Sequence, residues 1–249
     1  MYLPDQPPRA RAQPSHPNAI SPPLLAQTRA PEDRSLARRV GLTLAERAIK
    51  RLFDLASVLV ILALFWWAII VVAVAVRLTT GSPVIYGHTR IGRDGREFKC
   101  YKFRSMVPDA DEVLARLLAT DAGAREEWRR DFKLKDDPRV TRVGRFIRKT
   151  SLDEFPQLWN VVVNDMSIVG PRPVVRKELE QYYLGACKAH YLSVKPGLTG
   201  LWQVSGRNDM DYFERVELDR VYVCSWGLWS DFMIVMRTVG VMFRRKGAY

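Results

Sequence analysis

Leu55–Val76 reads LASVLVILALFWWAIIVVAVAV, 22 residues without a charge in which Ser57 is the one distinctly polar side chain. A helix needs about 20 apolar residues to cross the hydrocarbon of a bilayer. The competing reading is a core helix of a soluble protein, which a run this long rarely is. Basic residues stand on both sides of it: Arg47, Lys50 and Arg51 before, Arg77, Arg90, Arg93 and Arg96 after. Lysine and arginine collect on the cytoplasmic side, so both flanks are expected on one face of the membrane. A segment that enters and leaves by the same face, a re-entrant helix, meets that condition. A straight spanning helix would leave the N-terminal tail on the opposite side from the rest of the chain.

Working outward toward the N-terminus, residues 1–31 hold eight of the fifteen prolines and no apolar cluster, the composition of a disordered tail. The tail is taken as residues 1–33. Residues 34–51 carry Arg38, Arg39, Arg47, Lys50 and Arg51, and read as an interfacial helix approaching anionic lipid. Residues 34–80 would thus be membrane-associated, and residues 81–249 a folded domain at the cytosolic face. The whole chain has 39 basic against 27 acidic residues, a net charge of +12, which points to a polyanionic partner. Cys100, Cys187 and Cys224 lie far apart, as do His16, His88 and His190, so neither a zinc site nor a disulfide framework is indicated. A metal here would take oxygen ligands, which favours Mg²⁺.

Toward the C-terminus, Gly81-Ser82-Pro83 ends the apolar segment, and Val84–Tyr86 and Glu97–Phe103 read as a β-hairpin around Gly92–Gly95. Lys102 and Arg104 alternate in it with Tyr101 and Phe103. Asp109–Ala119 has helical apolar periodicity, and Ala122–Lys135 reads as a charged surface helix. Arg139, Arg142, Arg145 and Arg148 recur every third residue, a basic stripe that ends at the stretch KTSLDEFPQLWNVVVNDMSIVGPRP, Lys149–Pro173. There Asp153-Glu154 stands among cations. Such a pair suits chemistry on phosphate: the cations hold the anion, and the acids attack it or bind its metal. Ser151-x-x-Glu154 also fits a capping box, with the two acids in the first turn of a helix through Trp159. A cap and a reaction centre are not separated by this spacing. Gly170-Pro171-Arg172-Pro173 is a rigid mount for a guanidinium, and Lys195–Arg207 reads as a glycine-rich loop. Trp226–Phe243 has an apolar stripe followed by Arg244, Arg245 and Lys246, as in a helix at the membrane surface. The fold class expected is α+β and mainly helical. It is a monotopic membrane protein with a re-entrant (or spanning) N-terminal helix, a β-hairpin and interfacial amphipathic helices.

YKFRSM at Tyr101–Met106, DDPRVTRVGRFIRKTSLDEFPQLWN at Asp136–Asn160, DMSIVGPRP at Asp165–Pro173 and KPGLTGLWQVSGRND at Lys195–Asp209 together resemble the bacterial sugar transferases, the polyprenyl-phosphate phosphoglycosyl transferases. The resemblance covers about Lys50 to Tyr249, and the RRKGAY ending is similar to the exopolysaccharide branch. It implies transfer of a sugar-1-phosphate, glucose or galactose, from a UDP-sugar to undecaprenyl phosphate with release of UMP, opening exopolysaccharide synthesis. Asp153 is implied as nucleophile and Glu154 as its partner, both at a Mg²⁺ site, with Lys102 near them. Lys102, Arg104, Arg145, Arg148 and Arg172 are the phosphate-binding candidates, and Gln203 and Arg207 the candidates for a sugar-nucleotide pocket. The implied location is the inner face of the bacterial cytoplasmic membrane, among membrane lipid. No nucleic-acid partner is expected, and a homodimer is left open. The family commonly has Ser-Pro in the middle of its membrane helix, where this chain has Trp66-Trp67. A non-enzymatic basic tether for anionic lipid or nucleic acid would explain the charge and the apolar run, but not the acidic pair beside Pro-Arg-Pro.

Overall fold

The computed structural model describes residues 41–131, 134–205 and 210–244. The Pro-rich tail, residues 34–40, Arg207, Arg245 and Lys246 lie outside the described residues.

Helix α1 is a single element, Leu44–Thr80. The Thr43 hydroxyl accepts from the Glu46 N–H at 3.3 Å and the Glu46 carboxylate accepts from the Thr43 N–H at 2.9 Å, a reciprocal cap. From that cap the backbone stays helical for 37 residues, about 55 Å. This corrects one expectation. The described part of the basic stretch is not a separate interfacial helix, because it is the first turns of α1. At Trp66-Trp67 the helical backbone is unbroken. Tryptophan keeps its backbone N–H, so nothing there removes a helical hydrogen bond as proline would.

The buried residues of α1 form two groups at intervals of four, Lys50, Asp54 and Val58, then Ala68, Val72, Val76 and Thr80. The two groups pack against the rest of the protein, and between them only Ile61 is partly buried. Leu59, Val60, Leu62, Leu64, Phe65, Trp66 and Trp67 are exposed around the middle of the helix, and Ile70, Val71 and Val74 on the face away from the second group. Both ends of α1 therefore dock on one unit, through Lys50, Asp54 and Val58 at one end and Val72 and Val76 at the other.

Strands β1 (Ile85–Ile91) and β2 (Glu97–Phe103) form an antiparallel hairpin in register from Ile85 opposite Phe103 to Ile91 opposite Glu97. Helices α2 (Ala110–Thr120) and α3 (Ala122–Asp131) follow. Next come α4 (Arg142–Lys149), a 3-10 turn at Leu152–Glu154, and α5 (Gln157–Val162). Strand β3 (Ser167–Val169) pairs in parallel with β4 (Gly197–Thr199). Between those strands lie α6 (Arg176–Tyr182) and α7 (Ala186–Ser193). Helices α8 (Leu201–Ser205), α9 (Tyr212–Cys224) and α10 (Leu228–Arg244) complete the described residues. This is a mainly helical α+β monotopic membrane protein.

Two apolar clusters fix α1. Val58 joins Leu158, Val161, Ile168 and Val169, while Val72 and Val76 join Phe103 and Ile147, with Leu152 and Phe155 packed alongside. A buried polar joint holds the start of the helix. Lys50 Nζ lies 2.6 Å from Asp231 Oδ2 and donates to Tyr222 at 3.0 Å, and Tyr222 donates to Asp231 at 2.8 Å. On α10, Leu228, Trp229, Phe232, Met236 and Val239 are exposed along one face while Asp231 and Ile234 turn inward. That is the stripe expected of a helix at a membrane surface.

Candidate active site

The acidic pair sits at a sharp corner. Ser151 adopts φ 58°, in the left-handed region, and breaks α4 from the Leu152–Glu154 turn. Leu152 and Phe155 pack into the core with Ile147, which leaves the two residues between them, Asp153 and Glu154, on the other side of the turn. The expected capping box does not form: Ser151 makes no side-chain cap, and the following helix starts at Gln157 with Pro156 before it. A left-handed Ser151 turns its side chain away from the N–H groups it would cap. The carboxylates are thus not absorbed as helix caps.

Strand β2 brings Lys102 to them. Its Nζ lies 2.6 Å from Glu154 Oε1 and 3.8 Å from Asp153 Oδ2. Burial alone would pull the Lys102 ammonium down, but Glu154 and Asp153 outweigh it and hold the pKa above its usual value. Asp153 is only 8% exposed. Burial pushes its carboxyl up to about 6; Lys102 opposes that, Glu154 adds to it, and Arg148 opposes it again. The Arg148 guanidinium donates to Ser105 Oγ at 2.8 Å on the near side of the turn.

The strand and the acidic turn are locked in register by Asn160, which is fully buried. Its Oδ1 accepts from the Tyr101 N–H at 3.0 Å and its Nδ2 donates to the Lys99 carbonyl at 2.7 Å. Both are backbone groups of the strand that carries Lys102. On the other flank, α4 approaches the end of β2 so closely that a Cβ on Gly144 would lie 1.9 Å from the Ser105 carbonyl oxygen. Glycine is required there by contact, not by its φ.

The Arg172 charge is felt at Lys102, where it opposes the pull of Glu154 and Asp153. The Arg172 guanidinium carbon lies 5.8 Å from the Trp202 ring centroid, and that of Arg215 lies 5.1 Å from the same ring. The Pro-Arg-Pro turn rests on the glycines of the later motif: the Gly170 N–H donates to Thr199 and the Gly197 N–H to Pro171, at 2.9 and 2.8 Å. A Cβ on Gly197 would fall 2.1 Å from the Gly170 nitrogen. The described part of the expected glycine-rich loop is therefore a strand and a short helix, and Gly197 and Gly200 make room for the backbone of Gly170. Behind the turn, Asp219 accepts from Tyr183 at 2.7 Å, and burial pushes its carboxyl up to about 8.

The remaining candidates are placed as follows. Arg145 is exposed one turn before Arg148. Arg104 donates to the Ser82 carbonyl at 3.2 Å. Gln203 donates to Leu198 at 3.4 Å beside the Pro-Arg-Pro turn. Arg139 leaves the expected stripe, being buried in a two-pronged pair with Asp137 at 2.7 and 2.8 Å. Asn160, Ser105, Gly144, Trp202 and Arg215 were not singled out from the sequence. Only the proximity of Trp202 to the glycines, and of Asn160 to the acidic pair, hinted at them.

Two carboxylates beside a cationic rim suit Mg²⁺, which is commonly held by one or two carboxylates with water and substrate phosphate completing its shell. Among the described residues no group of three or more His, Cys, Asp or Glu could hold a metal. The pair fits an ion shared with a phosphorylated substrate, not a closed protein cage.

The model of the family described as bacterial sugar transferase matches residues 45–245. The chain belongs to the bacterial sugar transferase family. This sugar transferase is similar to the UDP-galactose-lipid carrier transferase of Erwinia amylovora, 56% identical over 82% of this chain and 42% of that protein. It is 54% identical to the undecaprenyl-phosphate galactose phosphotransferase of Salmonella typhimurium, over 82% and 42%. The exopolysaccharide production protein ExoY of Rhizobium meliloti is 46% identical over 88% of this chain and 94% of its own. The chain thus spans about two-fifths of the length of the first two relatives and nearly all of the third.

Proposed function

We propose that this sugar transferase moves galactose-1-phosphate from UDP-galactose to undecaprenyl phosphate, releasing UMP and beginning an exopolysaccharide repeat at the inner face of the cytoplasmic membrane. The observation that carries the proposal is the buried Asp153 at a corner, flanked by Glu154, with Lys102 reaching both and Arg148 and Arg172 beside them. Galactose is preferred over glucose because the relatives at 56% and 54% identity are named for it.

In the first step an Asp153 carboxylate oxygen bonds to the sugar-bearing phosphorus. The phosphoanhydride bond breaks, and its bridging oxygen leaves on UMP. In the second step a phosphate oxygen of the lipid attacks the same phosphorus and the bond to Asp153 breaks, so the carboxylate is regenerated. A carboxyl titrating near 6 is mostly ionised at neutral pH yet poorly solvated, which favours attack. Lys102, Arg148 and Arg172 hold the phosphate oxygens as charge shifts between them. Glu154, bonded to Lys102, keeps that ammonium aimed at the reacting group. Mg²⁺, held by Asp153 and Glu154, would offset the repulsion between anionic substrates and an anionic nucleophile.

The test is incubation of the purified chain with UDP-galactose radiolabelled in the sugar, without lipid acceptor, in the wild type and in Asp153→Asn. Label bound to wild-type protein only, and chased off by undecaprenyl phosphate, is the expected result. Product formation by Asp153→Asn at near-normal rate would remove Asp153 from the nucleophile role.

A further inference from the structure

The other end of α1 carries a second concentration of positive charge. Arg47 and Arg51 of α1, Arg93 of the hairpin turn and Lys195 line one cavity of about 40 Å³, together with Asp54 and Lys50. That is roughly three times the space one water needs, enough for a single compact group. The cavity is separate from the acidic turn. Phe65 meets Phe155, two residues past Asp153, at 6.0 Å, and Arg51 lies fourteen residues earlier on the helix, about 21 Å of axial rise.

The charges around it are not balanced from within. Lys50 is neutralised by Asp231. The Asp54 carboxylate, the one acid in the wall, spends Oδ1 on Ser167 Oγ at 2.8 Å and the Ile168 N–H at 2.9 Å. Arg51 donates to the carbonyls of Val161 and Val162 at 2.5 and 2.8 Å, which fixes its guanidinium without cancelling its charge. Among the described residues Arg93 pairs only with its exposed neighbour Asp94, at 3.3 Å. Arg47 and Lys195 have no ion-pair partner among the described residues; Lys195 is hydrogen-bonded to Asn164. Burial, opposed by Asp54 and reinforced by Arg51, Arg93 and Lys50, brings the Lys195 ammonium down to about 8. Like charges crowded at a fixed cavity destabilise the empty protein and are relieved by an anion.

We propose that this cavity is a phosphate-binding site separate from the acidic turn, made by Arg47, Arg51, Arg93 and Lys195. The chemistry is that of one phosphate group. It comes either from a membrane phospholipid headgroup or from free phosphate. Arg51 stands four residues before the apolar run begins at Leu55, and a wall residue at that charged-to-apolar boundary of α1 suits a headgroup phosphate.

Two measurements on the full chain separate the sources. Inorganic phosphate is titrated calorimetrically into the detergent-solubilised wild type, Lys195→Gln, Arg93→Gln and Arg172→Gln. Phospholipid retained by the same proteins from phosphatidylcholine nanodiscs, with and without phosphatidylglycerol, is counted by native mass spectrometry. Phosphate binding weakened at least tenfold in Lys195→Gln or Arg93→Gln but kept in Arg172→Gln supports the site with free phosphate as ligand. Retained phosphatidylglycerol lost in the cavity variants supports the headgroup source. If neither ligand responds to Lys195→Gln or Arg93→Gln, the proposal is overturned. Arg93 lies in an exposed turn, so its variant serves if Lys195→Gln does not fold.

Discussion

Replacing Asp153 with asparagine should abolish transfer and yet make the protein more stable. The carboxyl is raised from an ordinary 3.8 to about 6, burial being the main cause. The folded protein therefore holds this proton more tightly than the unfolded chain does. Stability from this group is greatest below about pH 4 and is lost as pH rises through the window from 4 to 6. Above that window the ionised side chain costs about 3 kcal/mol, two units at roughly 1.4 kcal/mol each. Asparagine has the same shape and no charge, so the variant should gain about 3 kcal/mol at pH 7.5 and only about half of that at pH 5. For a chain of this size that is a rise in Tm of roughly 6–12 °C at pH 7.5. The assay is thermal unfolding of wild type and Asp153→Asn in one detergent at both pH values, beside the labelling experiment. Wild-type kcat/KM should rise about tenfold per pH unit below 6 and level off above it. A variant that is less stable than wild type at pH 7.5, or a stability difference that does not grow with pH, would refute the reasoning, because the carboxylate would then be a net stabiliser.

Asp231→Ala leaves the Lys50 ammonium buried without its partner and should cost about 3–5 kcal/mol, read as a fall in Tm, whereas Lys50→Met with Asp231→Leu should lose much less. Gly144→Ala must push α4 off Ser105, and a displacement on the order of 1 Å at Arg148 and the acidic turn should lower kcat by up to about 100-fold with little change in membrane association. Asp219, titrating at about 8, is already neutral at pH 7, so Asp219→Asn should keep both Tm and activity near wild type at pH 7. A large loss there would mean that the carboxylate is ionised.

The elements of this fold were legible where the signal is local. The apolar run, the hairpin around Gly92–Gly95 and the helix after Asp109 each announce themselves through composition and period. The acidic pair was legible as chemistry but not as geometry. Ser151 carries the letters of a capping box, and only the pull of Leu152 and Phe155 into the cluster around Ile147 forces it into the left-handed region. The glycines of the later motif were legible as close approach, but what approaches is the chain's own Gly170, a contact between residues far apart in sequence. Asn160, Trp202 and Arg215 gain meaning only from such long-range partners, which no window of sequence contains.

The same long-range contacts explain why a membrane helix is part of the catalytic unit and not a leash. Asp54 of α1 is bonded to β3, the strand that ends in the Pro-Arg-Pro turn. Phe65, Val72 and Val76 pack on Phe155 and on the cluster that includes Leu152, the residues bracketing Asp153 and Glu154. The one helix α1 therefore contacts both the strand that leads into the Pro-Arg-Pro turn and the residues bracketing the acidic turn. Its outer face, Leu59 through Val74, is apolar, so burying that face in lipid also fixes the depth of both turns. In the proposed reaction, a soluble sugar nucleotide and an acceptor whose phosphate stays at the membrane surface meet only if the site is held at headgroup level. Depth of insertion would then be a catalytic coordinate. A charge placed on the outer face, as in Val71→Lys, should reduce transfer to lipid far more than it reduces labelling of Asp153 by the soluble sugar nucleotide. Equal losses in the two half-reactions would show that α1 only supports the fold.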